Sequence, residues 1–119
     1  MTTPTPKQLH RLGVLDRDVH CYFARFSERP CAGPIQAAHW LSVSFLKSQT
    51  PMMIAMGDAV IADPRNGVPA CAFHHGQFDN RFLRVPRSAV PGHVEHFAAD
   101  LGLTWRLDRD HPTTESESR

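Results

Sequence analysis

The sequence predicts a small α+β domain: a two-stranded element, a zinc knuckle and flanking helices. Three observations carry this prediction. DPRNG, at 63–67, is a turn, because Pro and Asn-Gly supply its dihedrals. It separates two strand-like runs, IQAAHWL at 35–41 and VPAC at 68–71. Between Pro91 and Gly102, Val94, Phe97, Ala98 and Leu101 follow the i, i+3, i+4, i+7 spacing of one helix face.

Along the chain, Met1 to Pro6 is Thr/Pro-rich and reads as loose, within a lead-in that spans 1–18. KQLHRLGVLDRDVH reads as a short helix or an irregular approach. Cys21 to Pro34 is loop-like, since Pro30, Gly33 and Pro34 break regular structure. Ser42 to Ala62 is too long to be structureless and predicts one or two helices. Pro69 restricts VPAC to an edge position. Phe73, Phe78 and Phe82 sit at near-helical spacings, so Ala72 to Phe82 predicts a helix. In PGHVEHFAADLG, Pro and Gly mark the start and the stop. The polar end, HPTTESESR at 111–119, predicts disorder.

Composition narrows the function classes. The 119 residues fit one domain, with 41% hydrophobic and 21% charged residues, an ordinary water-soluble composition. A net charge of +1 gives no global nucleic-acid signature, so such binding needs a local patch. No apolar run approaches the ~18 residues of a membrane span, and MTTPTPKQLHRLG lacks the apolar region of a secretory signal. Three cysteines do not close a disulfide framework. Free thiols or metal ligands in a reducing, cytoplasmic setting fit better.

The metal-capable residues crowd into DPRNGVPACAFHHGQFD. Cys71 and His74 form C-x2-H across a strand end and a helix start, a spacing that lets both reach one ion. Cys21 and Cys31 lie upstream, and with them the set becomes Cys3His with no thiol left over. A zinc ion there would staple distant segments, and its binding energy would be folding energy. The plain alternative is three buried cysteines acting as small apolar residues. His75, next to His74 on a helix, points about 100° away and is free for a second purpose. Asp79 lies one turn further on the same face, where a His and a carboxylate can share a divalent cation.

Taken in order, GPIQAAHW and DPRNGVPACAFHHGQFD resemble the HNH endonuclease family, the ββα-metal or His-Me finger fold. The likeness is greatest to zinc-containing phage and bacterial members, whose pattern runs C…C-x-G-P-I-Q, then a His pair, then D-x-R-N-G-x-x-x-C-x-x-C/H-H-x-x-x-D. It covers Cys21 to Asp79, and the later GHVEHFAADLGLTWRLDRDHP resembles their C-terminal segment. The nuclease domain then spans 19–110. The resemblance implies that His39 is the general base and that Asn66 ties the loop to the backbone and positions it. It implies that His75 is a ligand of the catalytic cation, that Asp79 falls where some members carry another ligand, and that Cys21, Cys31, Cys71 and His74 hold a structural zinc. One departure stands out: many members carry Asp or His as a ligand just before the base, and here that residue is Ala38.

The activity so implied is metal-dependent hydrolysis of DNA phosphodiesters, leaving 5′-phosphate and 3′-hydroxyl ends. Mg²⁺ prefers oxygen ligands, whereas a histidine ligand also admits Mn²⁺, Ni²⁺ or Zn²⁺, so the catalytic ion is left among these four. Lys47, Arg65, Arg81, Arg84 and Arg87 are candidate phosphate contacts, and no element is suited to reading base edges, so low sequence specificity is expected. The implied setting is a bacterial or phage-infected cytoplasm, with DNA as partner and phage packaging or recombination machinery as candidate company. Two other classes stay open: a non-catalytic zinc module that binds nucleic acid or protein, and a small redox or metal-handling protein using its thiols.

Overall fold

The computed structural model describes residues 3–112. Helix α1 (Pro6–Arg17) opens the fold. Its start is a capping box, in which the Gln8 N–H donates to Thr5 Oγ1 at 3.1 Å and the Thr5 N–H to Gln8 Oε1 at 2.8 Å. Thr5 is therefore a helix cap and Pro6 the first residue of the helix, which corrects the reading of these two as loose; Met1 and Thr2 lie outside the described residues. A 3₁₀ turn at Tyr22–Phe26 leads to strand β1 (Ile35–His39). Three short helices follow: α2 (Val43–Ser48), capped by the Ser42 hydroxyl, α3 (Thr50–Met56) and α4 (Asp58–Ala62). Strand β2 (Gly67–Cys71) returns antiparallel to β1, with Ala37 opposite Pro69 and His39 opposite Gly67.

Pro69 is compatible with this hairpin for a geometric reason. Ladder bonds run from Trp40 N to Asn66 O and from Ala72 N to Pro34 O. Antiparallel pairs alternate, so Ala37 and Pro69 form a non-hydrogen-bonded pair and the missing N–H points away from β1. Gly67 is required by a close approach: a Cβ there would lie 2.5 Å from His10 Nε2.

Helix α5 (Ala72–Asp79) starts directly from β2. It stops before the predicted end at Phe82. The Arg81 N–H donates to Phe78 O and the Phe82 N–H to Gln77 O, a Schellman closure with Arg81 at φ 62 where glycine is usual. Phe73 and Phe78 lie on the helix, but Phe82 is turned outward and is 75% exposed. Helix α6 (Gly92–Asp100) closes the same way on Gly102, and α7 (Thr104–Asp110) ends the described chain.

The core joins Phe23, Trp40, Leu46, Val68, Phe97 and Leu107, with α1 packed against α4 and both strands. Four polar residues are buried in it: His10, Asn66, His74 and His111. His111 corrects the expected disorder at its position: the Trp40 Nε1–H donates to its Nε2 at 2.9 Å, and its Nδ1–H donates to Val85 O at 3.0 Å. The rest of that predicted tail, 113–119, lies outside the described residues. Among the described residues, no helix is long and apolar enough to cross a membrane.

Burial makes His10 an acid-sensitive element. Desolvation, and then the neighbouring His39, lower its pKa from 6.5 to about 4, against the pull of its bond to Asn66 O. The folded state therefore favours neutral imidazole. The stabilisation is complete above the unfolded value and is lost as pH falls from about 6.5 towards 4, with a ceiling of order 3 kcal/mol. Urea unfolding at pH 7, 6 and 5 tests this. The native protein should lose more stability over that interval than His10→Gln; parallel losses would contradict it.

Candidate metal centre and adjoining cleft

Two polar sites share the junction of β2 and α5. The first is the Cys3His set. The ligand atoms of Cys21, Cys31, Cys71 and His74 all lie within 4.8 Å of one another. His74 Nδ1 is 3.5 Å from Cys21 Sγ, 3.6 Å from Cys31 Sγ and 3.2 Å from Cys71 Sγ. A tetrahedral zinc ion, with Zn–S near 2.3 Å and Zn–N near 2.0 Å, sets sulfur and nitrogen about 3.5 Å apart. The donor set therefore fits zinc in distance as well as in chemistry.

Local structure explains the fit. Cys71 ends β2 and caps α5, where its Sγ accepts the His74 N–H at 3.3 Å. The His74 Nε2–H donates to Arg29 O at 3.0 Å, which leaves Nδ1 with a bare lone pair facing the thiols. Burial pushes the Cys71 thiol up, but N–H donors from His74 and Ala32 and bonds from the other two thiols outweigh it and leave its pKa below the ordinary value. Desolvation and bonds to Cys71 and Cys21 push Cys31 up to about 11. The cluster thus favours the thiolate at Cys71 and disfavours it at Cys31.

The second site involves the neighbouring histidine. His74 and His75 diverge, as their placement on a helix predicts. The His75 Nδ1–H donates to Gln36 Oε1 at 2.8 Å, so Nε2 faces Asp79 Oδ2 at 3.3 Å. Two cis ligands of an octahedral ion with bonds near 2.1 Å stand about 3.0 Å apart, close to this spacing. Gln36, which orients the ring, was not singled out in the sequence reading, although it lies in the quoted GPIQ stretch.

His39 ends β1. Its Nε2–H donates to Ile61 O at 3.1 Å, which leaves Nδ1 unprotonated. Desolvation lowers its pKa, and the Ile61 bond opposes this. The charges of His75 and Asp79 also act on His39, so the three belong to one electrostatic neighbourhood. His10 stacks flat against it, with ring centroids 3.5 Å apart and planes 11° apart. Asn66 holds the strand end beneath: its Oδ1 accepts the Leu41 N–H at 2.8 Å and its Nδ2 donates to Leu41 O at 2.9 Å. Ala38 is buried in the core and offers no ligand.

A cleft of about 280 Å³ opens beside this group. His39 and Asp79 line it together with four arginines, Arg81, Arg84, Arg106 and Arg109. The basic residues named from sequence thus divide. Arg81 and Arg84 reach the cleft. Arg65 is held by Asp63 at 2.9 Å and by Asp100 at 2.6 Å, and Arg87 by Glu95 and Asp108, so both serve the fold. Lys47 is exposed on α2 and is not among the cleft residues. Arg106 and Arg109 were missed because WRLDRD was not read as a helix. Their i, i+3 spacing was the available signal. Exposed Lys7 on α1 was missed too, and its charge also acts on His39.

No protein-family model matches the chain, and no curated protein and no solved structure shows a significant match to it.

Metal analysis of protein purified without chelator should give one zinc per chain. Structural zinc sites contribute on the order of 10 kcal/mol to folding, so Cys71→Ser should lose the ion and the cooperative melting transition. A normal melt for that variant would rule out the staple.

Proposed function

We propose that the protein is a metal-dependent endonuclease that hydrolyses DNA phosphodiester bonds, and that its scaffold carries a structural zinc. The observation that carries this reading is that His39 and Asp79 line one arginine-bearing cleft, with His75 beside Asp79 at 3.3 Å. The ordered motif, from the upstream cysteines to Asp79, supports the likeness to zinc-containing HNH endonucleases.

In this reading, His39 is the general base. It is neutral near pH 7 because burial depresses its pKa, and its Ile61 bond keeps the proton on Nε2. Nδ1 then takes a proton from the attacking water, a role worth ~10²–10⁴ in rate. His75 and Asp79 would hold a divalent cation, with Gln36 fixing the His75 ring. Such an ion would supply charge stabilisation to the phosphate and the leaving oxygen. Asn66 keeps the end of β1 in register with the loop. Arg81, Arg84 and Arg109 attract the phosphate backbone through interactions that weaken with salt, while Arg106 is held by Asp110 at 2.9 Å. DNA is the partner, and none of these contacts reads a base edge.

A second reading has one observation in its favour. Ala38 packs into the core, and His75 already pairs with Asp79. A zinc module that binds nucleic acid without cutting it would look the same at the Cys3His end.

Nicking of supercoiled plasmid with Mg²⁺ or Mn²⁺ separates the two. The native protein should nick, and His39→Ala should be slower by at least about 100-fold while keeping its zinc and a cooperative melting transition. Equal activity in both would remove the base assignment, and no activity in the native protein would favour the second reading. The base must be neutral to act, and its pKa lies below the ordinary value. The nicking rate should therefore be flat from pH 7 to 8 and fall only below about 6.5. A rate that still climbs steeply between pH 7 and 8 would point to another base.

A further inference from the structure

We infer that the cleft beside His39 receives one unpaired nucleotide of a DNA strand, so that the preferred substrate is single-stranded or locally opened. This rests on the nuclease reading for its placement next to the scissile phosphate. The cleft itself carries the argument. Its volume of about 280 Å³ is that of a small-molecule site, too small to admit a duplex. Trp40, Phe78 and Leu83 line it together with Arg81, Arg84, Arg106 and Arg109, and with Asp79 and Asp110. A nucleotide pairs a flat, weakly polar base with an anionic phosphate, and the aromatic and cationic lining residues match these two parts in turn.

The cationic lining is equipped for the same ligand. Arg84 and Arg109 are exposed and make no ion pair among the described residues. The contact of Arg81 with Asp110 is long, at 3.7 Å. Phe82, 75% exposed, is held outward by the closing turn of α5 and lies in sequence between the cleft residues Arg81 and Leu83. An exposed aromatic ring next to cations that line a narrow cleft is the combination that binds single strands, by stacking and by phosphate attraction. In a duplex the base is stacked and paired, and it reaches such a cleft only after extrusion at a cost of a few kcal/mol.

The test uses the intact zinc-loaded protein without added divalent cation. Fluorescence anisotropy compares a labelled oligothymidine of about 12 nucleotides with the same strand annealed to its complement. The single strand should bind at least about tenfold more tightly. Arg84→Glu with Arg109→Glu should weaken single-strand binding at least tenfold, and Phe82→Ser about fivefold, with zinc content and far-UV circular dichroism unchanged. Equal or tighter binding of the duplex, or native affinity in these variants, would overturn the inference. Cleavage assays on the same two substrates keep the two proposals apart. A protein that prefers the single strand but cuts neither loses the nuclease reading and keeps this one. A protein that cuts duplex as fast as single strand keeps the nuclease reading and loses this one.

Discussion

The side chain and carbonyl of Asn66 join three parts of the chain at one point. Its amide spans the Leu41 backbone in both directions, and its own carbonyl accepts from Trp40 N and from the His10 ring. The residue is fully buried, so each of these bonds forms away from water. Leaving one such group unpaired costs about 1–3 kcal/mol, which makes the set strongly selective for a single arrangement. That arrangement seats α1 on the hairpin, ends β1 at His39, and lets His10 lie flat on the His39 ring. The proposed chemistry depends on this knot to place His39.

The same logic recurs at each buried or half-buried imidazole. A carbonyl or an amide oxygen takes one ring N–H and so decides which nitrogen keeps a lone pair. Arg29 O does this for His74, Gln36 for His75, Ile61 O for His39 and Val85 O for His111. Two adjacent histidines can therefore serve different ends. His74 turns Nδ1 to the thiols, while His75 turns Nε2 to Asp79. Backbone geometry separates the rings, and their hydrogen-bond partners assign the tautomers.

The two strands and the Cys71–His74 half of the metal cluster were legible in the sequence because their signals are local. Asn-Gly marks the turn, and C-x2-H sits where a strand becomes a helix. The end of α5 was not legible. The phenylalanine spacing continues to Phe82, and a non-glycine residue, Arg81, adopts the left-handed turn that stops the helix. His10 and His111 were passed over because each sits in a polar stretch and owes its burial to a partner far along the chain, Asn66 and Trp40 respectively. The arginines show the same limit. Composition counts Arg65 and Arg84 alike, yet one is neutralised by Asp100 from a distant helix and the other faces the cleft.

Pro69 has a consequence for how the molecule meets its own copies. The outer margin of β2 lacks a donor at its centre, and Arg17 occupies the Gly67 carbonyl at 2.6 Å near one end. A strand from another chain would find no continuous row of groups to pair with there. The hairpin is thereby protected on that side from edge-to-edge assembly, and a two-stranded sheet can remain two-stranded at high protein concentration.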